Sequence, residues 1–385
     1  MPRKMDFESM YNAEDAQPFD QKNDMFKRAR WVEKFRPAAR RYYGMVTPNE
    51  KPGFRIQDIG ARNASLWLEF EFAKGLQKGN FGIYSWEDKR DSIQALPEDA
   101  KFDPKDPEYN ARVIKKAAKI FGADLVGICK LDKRWTYTKG YKLVEREEYD
   151  IHVPDEYQWV IVIAVEMPYE PLRYSPTYIG GIGTGLGYSQ MAYTAGLVAQ
   201  FLRQLGYKAI PSGNDTALSV PYAIQAGLGE LGRLGQVITY EFGPRVRLCR
   251  VLTNLPLRCD EPIRFGATEF CESCKKCAEK CPSQAISYEP KRFTKPINES
   301  NAGGTLKWYI NAEKCFEFWA KNYADCVNCI RVCPFNKPKG LLHSTVKRMV
   351  DHMPQLNRPM KWADDLFGYG KRLDAETFWD KEMSF

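Results

Sequence analysis

Apolar residues recur at helical and strand spacings between residues 106 and 258, and they predict the secondary structure of a central domain. Pro107 opens a segment whose apolar positions repeat every three to four residues, which predicts a helix that ends at Gly122. The next residues, ADLVGIC, and the continuous apolar run Tyr157–Met167 predict two strands, the second of them buried. The segment SQMAYTAGLVAQFLRQLG predicts a second helix, which ends at Gly206. This succession predicts a core that mixes helices with strands.

Two glycine-rich segments interrupt the pattern, and we predict both to be turns. The first spans Ile179–Ser189 and the second is AGLGELGRLG; glycine permits positive φ and a close approach of backbone to a ligand. After the second segment, QVITYEFGPRVRLCRVLTN predicts a hairpin with its turn at residues 242–244. Strand alternation would place Arg247 on the face opposite to Val246 and Leu248, either in solvent or towards a cavity.

The chain divides into four segments. Residues 1–105 are rich in aromatics and prolines and are predicted to pack on the core, with one short helix at FDQKNDMFKRARW. Residues 106–258 form the core, residues 259–340 hold most of the cysteines, and residues 341–385 form an aromatic tail docked on the core. The aromatic side chains of residues 65–85 either pack against a neighbouring domain or wall an apolar substrate site.

Length and composition exclude several classes of protein. The 385 residues suffice for two or three domains, and 44% hydrophobic residues permit a large core. The net charge of +8 is not gathered into long basic runs, so nucleic acid is permitted but not indicated. The sequence contains no run of 18 apolar residues, so it predicts no membrane span. The N-terminal MPRKMDFESMYN lacks the apolar stretch of a signal peptide.

The cysteines fall into two runs with the spacing of bacterial ferredoxins. CESCKKCAEKCP has C-x2-C-x2-C-x3-C-P spacing, and DCVNCIRVCP has C-x2-C-x3-C-P spacing with Cys315 eleven residues before its first cysteine. Four thiolates hold one 4Fe-4S cluster, and in two-cluster ferredoxins the fourth cysteine of each run binds the other cluster. The ligand sets predicted on this basis are Cys271, Cys274, Cys277 and Cys333 for cluster 1, and Cys281, Cys315, Cys326 and Cys329 for cluster 2.

Two zinc sites or buried free thiols are the alternatives to clusters. Zinc sites usually show paired C-x2-C spacing without a third close cysteine and a trailing proline, so the spacing favours clusters. Of the eleven cysteines, Cys129, Cys249 and Cys259 remain, and this odd remainder argues against a disulfide framework. We expect these three to be small core residues.

Several segments resemble, in order and spacing, the cobalamin-dependent reductive dehalogenases. They are DPEYNARVIKKAAKIFGADLVGICKLDKRWTY, GYSQMAYTAGLVAQFLRQLGYKAIPSGND, AGLGELGRLG, FGPRVR, and CFEFW followed by DCVNCIRVCPFNK. The resemblance extends from about residue 20 to about residue 340. It implies an α/β (α+β) fold, in which a nitroreductase-like cobalamin-binding core precedes a two-cluster bacterial ferredoxin-like module.

The resemblance also implies the cofactors: two 4Fe-4S clusters and a corrinoid bound base-off, without a histidine ligand from the protein. The D-x-H-x-x-G pattern that supplies such a ligand in other cobalamin enzymes is absent, and we expect His152, His343 and His352 to be surface or structural residues. The glycine-rich segments would contact the corrinoid. The residues predicted to do so are Gly185, Ser189, Gly227, Leu228, Gly229 and Gly232.

A tyrosine, an asparagine and a basic residue are the catalytic set that the resemblance implies, and Tyr188, Asn214 and Arg247 match them. Reductive removal of halide needs two electrons and one proton. Tyrosine can donate that proton, and a nearby guanidinium stabilises the tyrosinate that remains; arginine itself stays charged. Asn214 would orient the tyrosine or donate to the halogen. Arg245 and Tyr193 are the alternatives if the placement is wrong by one strand or helix turn, and Trp319 would wall an apolar pocket.

Two other functions remain open. Epoxyqueuosine reductase shares the cobalamin and cluster plan but acts on tRNA, and an electron-transfer subunit would have no substrate of its own. The partners implied by the dehalogenase resemblance are an organohalide, a low-potential electron donor, a small membrane anchor subunit and a second copy in a homodimer, without nucleic acid. A mature respiratory chain would lie at the outer face of the cytoplasmic membrane; otherwise the absence of a signal peptide predicts a cytoplasmic protein.

Overall fold

The computed structural model describes residues 2–76, 80–90, 94–104, 106–338 and 349–381. Its α-helices are α1 (Phe7–Tyr11), α2 (Met25–Trp31), α3 (Arg36–Tyr43), α4 (Ile56–Phe72), α5 (Pro107–Ile120), α6 (Tyr169–Leu172), α7 (Tyr178–Gln204), α8 (Ser219–Gln225), α9 (Ala267–Ser273), α10 (Lys276–Glu279), α11 (Ala312–Asn322), α12 (Asn328–Arg331) and α13 (Asn357–Leu366). Its strands are β1 (Arg3–Lys4), β2 (Leu125–Lys130), β3 (Lys139–Lys142), β4 (Glu147–Asp150), β5 (Trp159–Glu166), β6 (Ala209–Ser212), β7 (Gly229–Leu231), β8 (Val237–Thr239), β9 (Val246–Thr253) and β10 (Ile263–Arg264).

A four-stranded antiparallel sheet in the order β2-β5-β9-β6 forms the centre of the fold. Strand β5 consists almost entirely of β-branched and apolar residues, and six of its eight residues are buried because both faces of the sheet are covered. Helices α5 and α7 pack on the face that carries Ile161 and Ile163, whereas α8, β7 and the N-terminal Phe7 pack on the face that carries Val160 and Val162. The buried run predicted at Tyr157–Met167 is therefore the central strand.

The predicted helix from Pro107 agrees with α5. Asp106 caps it, because the Asp106 carboxylate accepts a hydrogen bond from the backbone N–H of Tyr109 at 2.7 Å, and Pro107 occupies the first turn. The predicted strand ADLVGIC covers all of β2 except its last residue, Lys130, and the short N-terminal helix predicted at FDQKNDMFKRARW contains α2.

Two sequence predictions of local structure are wrong. The segment Ile179–Ser189 is not a turn but the first part of α7, because its glycines let neighbouring groups approach the helix closely. A Cβ at Gly185 would lie 2.1 Å from Ser65 Oγ on α4, and one at Gly181 would lie 2.9 Å from Arg62 Cγ. The predicted hairpin of β8 with β9 does not form either. Strand β8 pairs with β7, while β9 pairs with β5 and β6.

The cysteine-rich segment shares a hydrophobic core with the central domain. Leu234 and Ile238, at the β7–β8 hairpin, are buried together with Phe265, Phe270 and Phe335. A hydrogen bond of 2.8 Å, donated by the backbone N–H of Val327 to Ser175 Oγ, also joins the two parts. Buried contacts thus fix the cysteines relative to the sheet.

The C-terminal residues 349–381 contact both parts. Trp379 Nε1 donates to the buried carboxylate of Asp58 on α4 at 2.8 Å, and Phe378 packs edge-on against Tyr174 with ring centres 4.9 Å apart. On α13, the carboxylate of Asp364 pairs with two buried lysines of the cysteine-rich segment, Lys276 and Lys337. Within the described ranges, no helix has the length and apolar character needed to cross a membrane.

Candidate functional site

Tyr188 and Arg247 come together between α7 and β9. Arg247 pairs with Val165 in the sheet and lies on the face covered by α7, whereas Val246 is buried on the other face. The guanidinium carbon of Arg247 lies 4.3 Å from the centre of the Tyr188 ring, which is cation–π contact. Gly187 makes this approach possible, because a Cβ there would lie 2.8 Å from Arg247 Cγ. A phenol and a cation are therefore held side by side.

Part of this arginine has no protein partner. Arg247 Nε is buried, and no hydrogen-bond acceptor within the described ranges meets it. A buried donor without a partner costs roughly 1–3 kcal/mol, so such groups in folded proteins commonly mark a functional site. The arrangement therefore leaves a donor available beside the Tyr188 ring.

Asn214 lies apart from this pair. Its side chain is exposed, and its Oδ1 accepts a hydrogen bond of 3.1 Å from Ser219 Oγ at the start of α8. In the part of the chain that the structure describes, no hydrogen bond joins Asn214 to Tyr188 or Arg247. The structure thus brings together two of the three predicted catalytic residues and leaves the third at a neighbouring position.

The two alternative residues have other surroundings. Arg245 is 1% exposed and forms an ion pair of 2.5 Å with Glu166, while its Nε donates to Asn336 Oδ1 at 2.9 Å. Tyr193 is 53% exposed on α7. Neither contacts the Tyr188 ring in the way that Arg247 does. His152 and His352 are exposed, and His343 lies outside the described residues.

Aromatic residues of α2, α3 and α11 form a cluster of their own, and sequence reasoning identified only Trp319 among them. The Trp319 ring lies 5.9 Å from that of Tyr42 and 5.6 Å from that of Phe26, and its buried Nε1 has no partner in the described ranges. Burial raises the pKa of the Tyr43 phenol; Arg30, stacked 3.9 Å over its ring, opposes the shift, while Asp24 and Tyr188 add to it. Tyr43 therefore belongs to the electrostatic surroundings of Tyr188. The sequence signal that could have indicated it is the Tyr42-Tyr43 pair itself.

The aromatic residues of segment 65–85 divide into an exposed group and a buried residue. Trp67, Phe70, Phe72 and Phe81 are between 45% and 59% exposed, and Tyr84 is buried against Ala73 and the face of the sheet that α7 covers. Packing against the core describes Tyr84, and a substrate wall formed by the four exposed rings stays a prediction.

A cavity of about 280 Å³ lies on the face of the sheet opposite to Tyr188, where α8 packs. Aromatic and aliphatic residues supply most of its lining, and its polar lining includes Asp24, Ser219 and Lys307. Ser219 donates a hydrogen bond to Asn214, so the cavity adjoins Asn214, whereas neither Tyr188 nor Arg247 lines it. Burial lowers the pKa of Lys307 to about 8.

The residues predicted to contact a corrinoid do not line this cavity. Gly185 and Ser189 face α4, where Ser189 Oγ donates to the carbonyl of Ser65 at 2.7 Å. Protein atoms also fill the space beside three further glycines: Glu261 O at Gly227, Ile238 O at Gly229, and the Ile238 side chain at Gly232. Leu228 is buried in the core. These glycines are explained by close packing, and the cavity is lined instead by Leu231 and Gly235 of the same segment.

The eight cysteines of the two runs form two groups. Burial raises the pKa of Cys271 well above its ordinary value, and Cys274 and Cys333 raise it further. Burial also raises the pKa of Cys277, and Cys271 adds to that shift. Burial likewise raises the pKa of Cys315 to about 12, with contributions from Cys326 and Cys281.

Cys329 completes the second group, because Cys326, Cys315 and Cys281 all raise its pKa. Cys333 thus neighbours the first run and Cys281 the second, while Cys329 also raises the pKa of Cys277 across the two groups, and the assignment of ligands to clusters stays a prediction. Within the described ranges, no three Cys, His, Asp or Glu side chains converge as ligands of a single metal ion. Cys129 and Cys249 are buried free thiols, and Cys259 is partly buried.

Comparison with known proteins relates both parts of the site to one class of enzyme. Residues 270–336 match the family model of the 4Fe-4S double cluster binding domain. A tetrachloroethene reductive dehalogenase of Desulfitobacterium hafniense is 40% identical over 333 residues, covering 77% of this chain and 60% of that protein. The chain is a relative of the reductive dehalogenases. A tetrachloroethene reductive dehalogenase of Sulfurospirillum multivorans is 36% identical over 307 residues, covering 73% of this chain and 61% of that protein.

The solved structure described as "Reductive dehalogenase structure suggests a mechanism for B12-dependent dehalogenation" superimposes with a TM-score of 0.72 at 24% identity. The superposition covers 93% of this chain and 47% of the chain in the solved structure. The two therefore share a fold of mixed helices and strands. The chain spans about 60% of the length of the curated reductive dehalogenases that it matches.

Proposed function

We propose that this protein is a reductive dehalogenase, which replaces a halogen substituent of an organohalide by hydrogen. The reaction consumes two electrons and one proton and releases halide. The observation that carries the proposal is the contact of Arg247 with the Tyr188 ring at 4.3 Å, in a chain whose eight clustered thiols can hold an electron supply. The similarity to tetrachloroethene reductive dehalogenases supports the same reaction class.

Under this proposal, Tyr188 donates the proton to the carbon that loses halide. The half-buried Arg247 guanidinium, held over the ring, stabilises the negative charge left on the phenolate oxygen, because opposite charges attract. Asn214 orients the substrate or the departing halide from the adjacent position. The rings of Trp319 and Tyr43 form an apolar wall that excludes water.

The electrons come through two 4Fe-4S clusters, one held by Cys271, Cys274, Cys277 and Cys333, and the other by Cys281, Cys315, Cys326 and Cys329. In this proposal the second set is the inner cluster, and Cys315 lies on helix α11 together with Trp319. The first set lies beneath α13, where Asp364 raises the pKa of Cys333. We therefore propose that an external low-potential donor reduces the first cluster, and that the second passes electrons inward.

The remaining cofactor in the proposal is cobalamin, bound base-off without a histidine ligand in a nitroreductase-like core. The cavity of about 280 Å³ does not fit such a group, because it is smaller than a corrin ring requires and none of the six residues predicted to contact the corrinoid lines it. When bound, the cobalt centre would supply the two electrons to the carbon–halogen bond. The unpartnered Nε of Arg247 and Nε1 of Trp319 are buried donors that the core leaves available.

The partners belong to the same proposal: an organohalide substrate, a low-potential donor, a small membrane anchor and a second copy of the chain. If the enzyme is respiratory, the proposal also includes export to the outer face of the cytoplasmic membrane. Epoxyqueuosine reduction and simple electron transfer are the rival functions. Release of halide separates the proposal from both.

The test is anoxic reconstitution with cobalamin, iron and sulfide, followed by measurement of halide released from chlorinated and brominated alkenes and phenols. We expect Tyr188→Phe to lower halide release by about 10²–10⁴-fold, the usual contribution of a proton donor, with unchanged cobalt and cluster spectra. Tyr193→Phe is the matched control, because Tyr193 lies on the same helix but is 53% exposed. Full activity in Tyr188→Phe, or its loss in Tyr193→Phe alone, would refute the assignment of Tyr188.

A further inference from the structure

Arg233 is a fully buried arginine at the tip of the β7–β8 hairpin. The turn is closed by a hydrogen bond of 2.9 Å from Gly232 N–H to Gln236 O, and Gly235 adopts a positive φ of 75°, which favours glycine. The next residue, Leu234, is buried in the core that contains Cys271. The hairpin therefore carries Arg233 from the central domain into the cysteine-rich segment.

The hydrogen bonds of Arg233 all go to neutral carbonyl groups. Its Nε donates to Cys271 O at 2.9 Å, and its Nη1 donates to Ser287 O at 2.8 Å and Glu289 O at 2.7 Å. A longer bond of 3.4 Å joins Nη2 to Glu272 O. The guanidinium carbon lies 4.4 Å from the centre of the Trp308 ring. The donors are satisfied, but no hydrogen bond neutralises the charge.

Within the described ranges, no salt bridge joins Arg233 to a carboxylate, and the same holds for the buried Arg250, whereas two further buried cations are paired. Arg245 pairs with Glu166, and Lys276 pairs with Asp364. Removing an uncompensated ion from water costs several kcal/mol even after the protein relaxes, so such a group requires a countercharge.

The nearest negative charges are thiolates. Burial lowers the pKa of Arg233, and Cys271, Cys277 and Cys274 oppose that shift most strongly, followed by the carboxylate of exposed Glu272. Arginine remains protonated in proteins in any case. The guanidinium thus lies against the first cysteine group through its hydrogen bond to Cys271 O, and these cysteines become anionic thiolates when they hold a cluster.

We propose that Arg233 is the countercharge of the cluster held by Cys271, Cys274, Cys277 and Cys333, and that it raises the reduction potential of that cluster. Reduction adds one negative charge to the cluster, and a fixed positive charge nearby in a medium of low polarity favours the reduced form. The inference rests on the cluster assignment made under the proposed function. Arg233 acts as a positioning and electrostatic residue and has no contact with Tyr188.

The second cysteine group provides a matched comparison. Arg331 lies beside Cys326, and its Nη1 donates to the carbonyl of Gly370. Removal of its charge should therefore affect the second cluster and leave the first unchanged. Each substitution should change the potential of one cluster only, so the other cluster serves as the internal control.

The experiment is an anoxic redox titration of the full chain reconstituted with iron and sulfide, followed by electron paramagnetic resonance. For Arg233→Gln we expect at least a tenfold fall in the ratio of reduced to oxidised first cluster at a fixed potential. This fold-change corresponds to a shift of at least 59 mV to more negative potential for a one-electron couple. Arg233→Lys keeps the charge and should restore most of the wild-type potential, and Arg331→Gln should shift only the second cluster.

Each outcome decides the matter. An unchanged first-cluster potential in Arg233→Gln overturns the inference, as does an equal shift of both clusters. If Arg233→Gln fails to hold the first cluster but Arg233→Lys holds it near the wild-type potential, the countercharge role is supported. If both variants lose it, the carbonyl hydrogen bonds are the function of Arg233 and the inference is wrong. A wild-type chain that binds no pair of clusters would instead refute the proposed function.

Discussion

Gly187 controls the contact between Tyr188 and Arg247, so substitution of this glycine by alanine tests the geometry of the site directly. A Cβ on Gly187 would lie 2.8 Å from Arg247 Cγ and 3.0 Å from Met167 Cγ. Met167 is fully buried and cannot move into solvent. The Arg247 stem must therefore shift, and its guanidinium would move relative to the Tyr188 ring.

Two opposing effects set the stability of Gly187→Ala. Alanine within a helix is favoured over glycine by about 0.5–1 kcal/mol, because glycine loses more backbone freedom on folding. Overpacking of a filled core costs about 1–3 kcal/mol. The steric effect is the larger because neither contact involves the far end of a side chain. We expect a net loss of about 1–2 kcal/mol in the free energy of unfolding, and about tenfold slower halide release for a loss of about 1.4 kcal/mol in transition-state stabilisation.

Urea unfolding and halide release measure the two effects, and Gly60→Ala is the control. Gly60 lies within α4, and no atom lies within 4 Å of the position of its Cβ, so this substitution should raise the free energy of unfolding by about 0.5–1 kcal/mol. If Gly187→Ala raises stability as Gly60→Ala does and keeps full halide release, the close packing inferred around Arg247 is wrong.

Two further predictions concern buried charges away from Tyr188. Asp364→Asn leaves Lys276 and Lys337 without their shared buried partner and should lower the free energy of unfolding, measured in urea, by about 3 kcal/mol. Asp365→Asn, at a side chain that is 49% exposed, should lower it by less than about 1 kcal/mol. Equal losses in the two variants would contradict this prediction. Burial raises the pKa of Glu230 from 4.5 to about 7, so the folded chain retains a proton that the unfolded chain loses. Its contribution, about 3 kcal/mol, is present below pH 4.5 and is lost as the pH rises through about 7. Glu230→Gln should flatten this part of the stability–pH profile, and an unchanged slope would show that Glu230 is not its source.

The parts of the fold that follow a local rule were predictable from the sequence. Strand β5 is a run of β-branched residues, and α5 begins at an aspartate cap followed by proline. The grouping of the cysteines was predictable because cluster geometry restricts their spacing. The contact of Arg247 with Tyr188 was suggested by strand alternation together with the family resemblance.

The wrong prediction of a turn at Ile179–Ser189 has a physical origin, which is that glycine serves close packing as well as turns. Gly181 and Gly185 have low intrinsic helix propensity, but they lie inside α7 because side chains of α4 occupy the space beside them. Such a decision is made by tertiary contacts, and no local pattern contains it. The same holds for Tyr43, whose place in the electrostatic surroundings of Tyr188 depends on how α3 packs against α11.

Helix α7 makes the site sensitive to the length of one segment. Its first residue, Tyr178, donates a hydrogen bond to the carbonyl of Tyr323 beside the second cysteine run, and Tyr188 follows ten residues later on the same unbroken helix. An α-helix rises about 1.5 Å and turns about 100° per residue. Loss of a single residue between them would point Tyr188 about a quarter turn away from Arg247, although every side chain of the site remained present. The site therefore tolerates neither insertion nor deletion of a residue between Tyr178 and Tyr188.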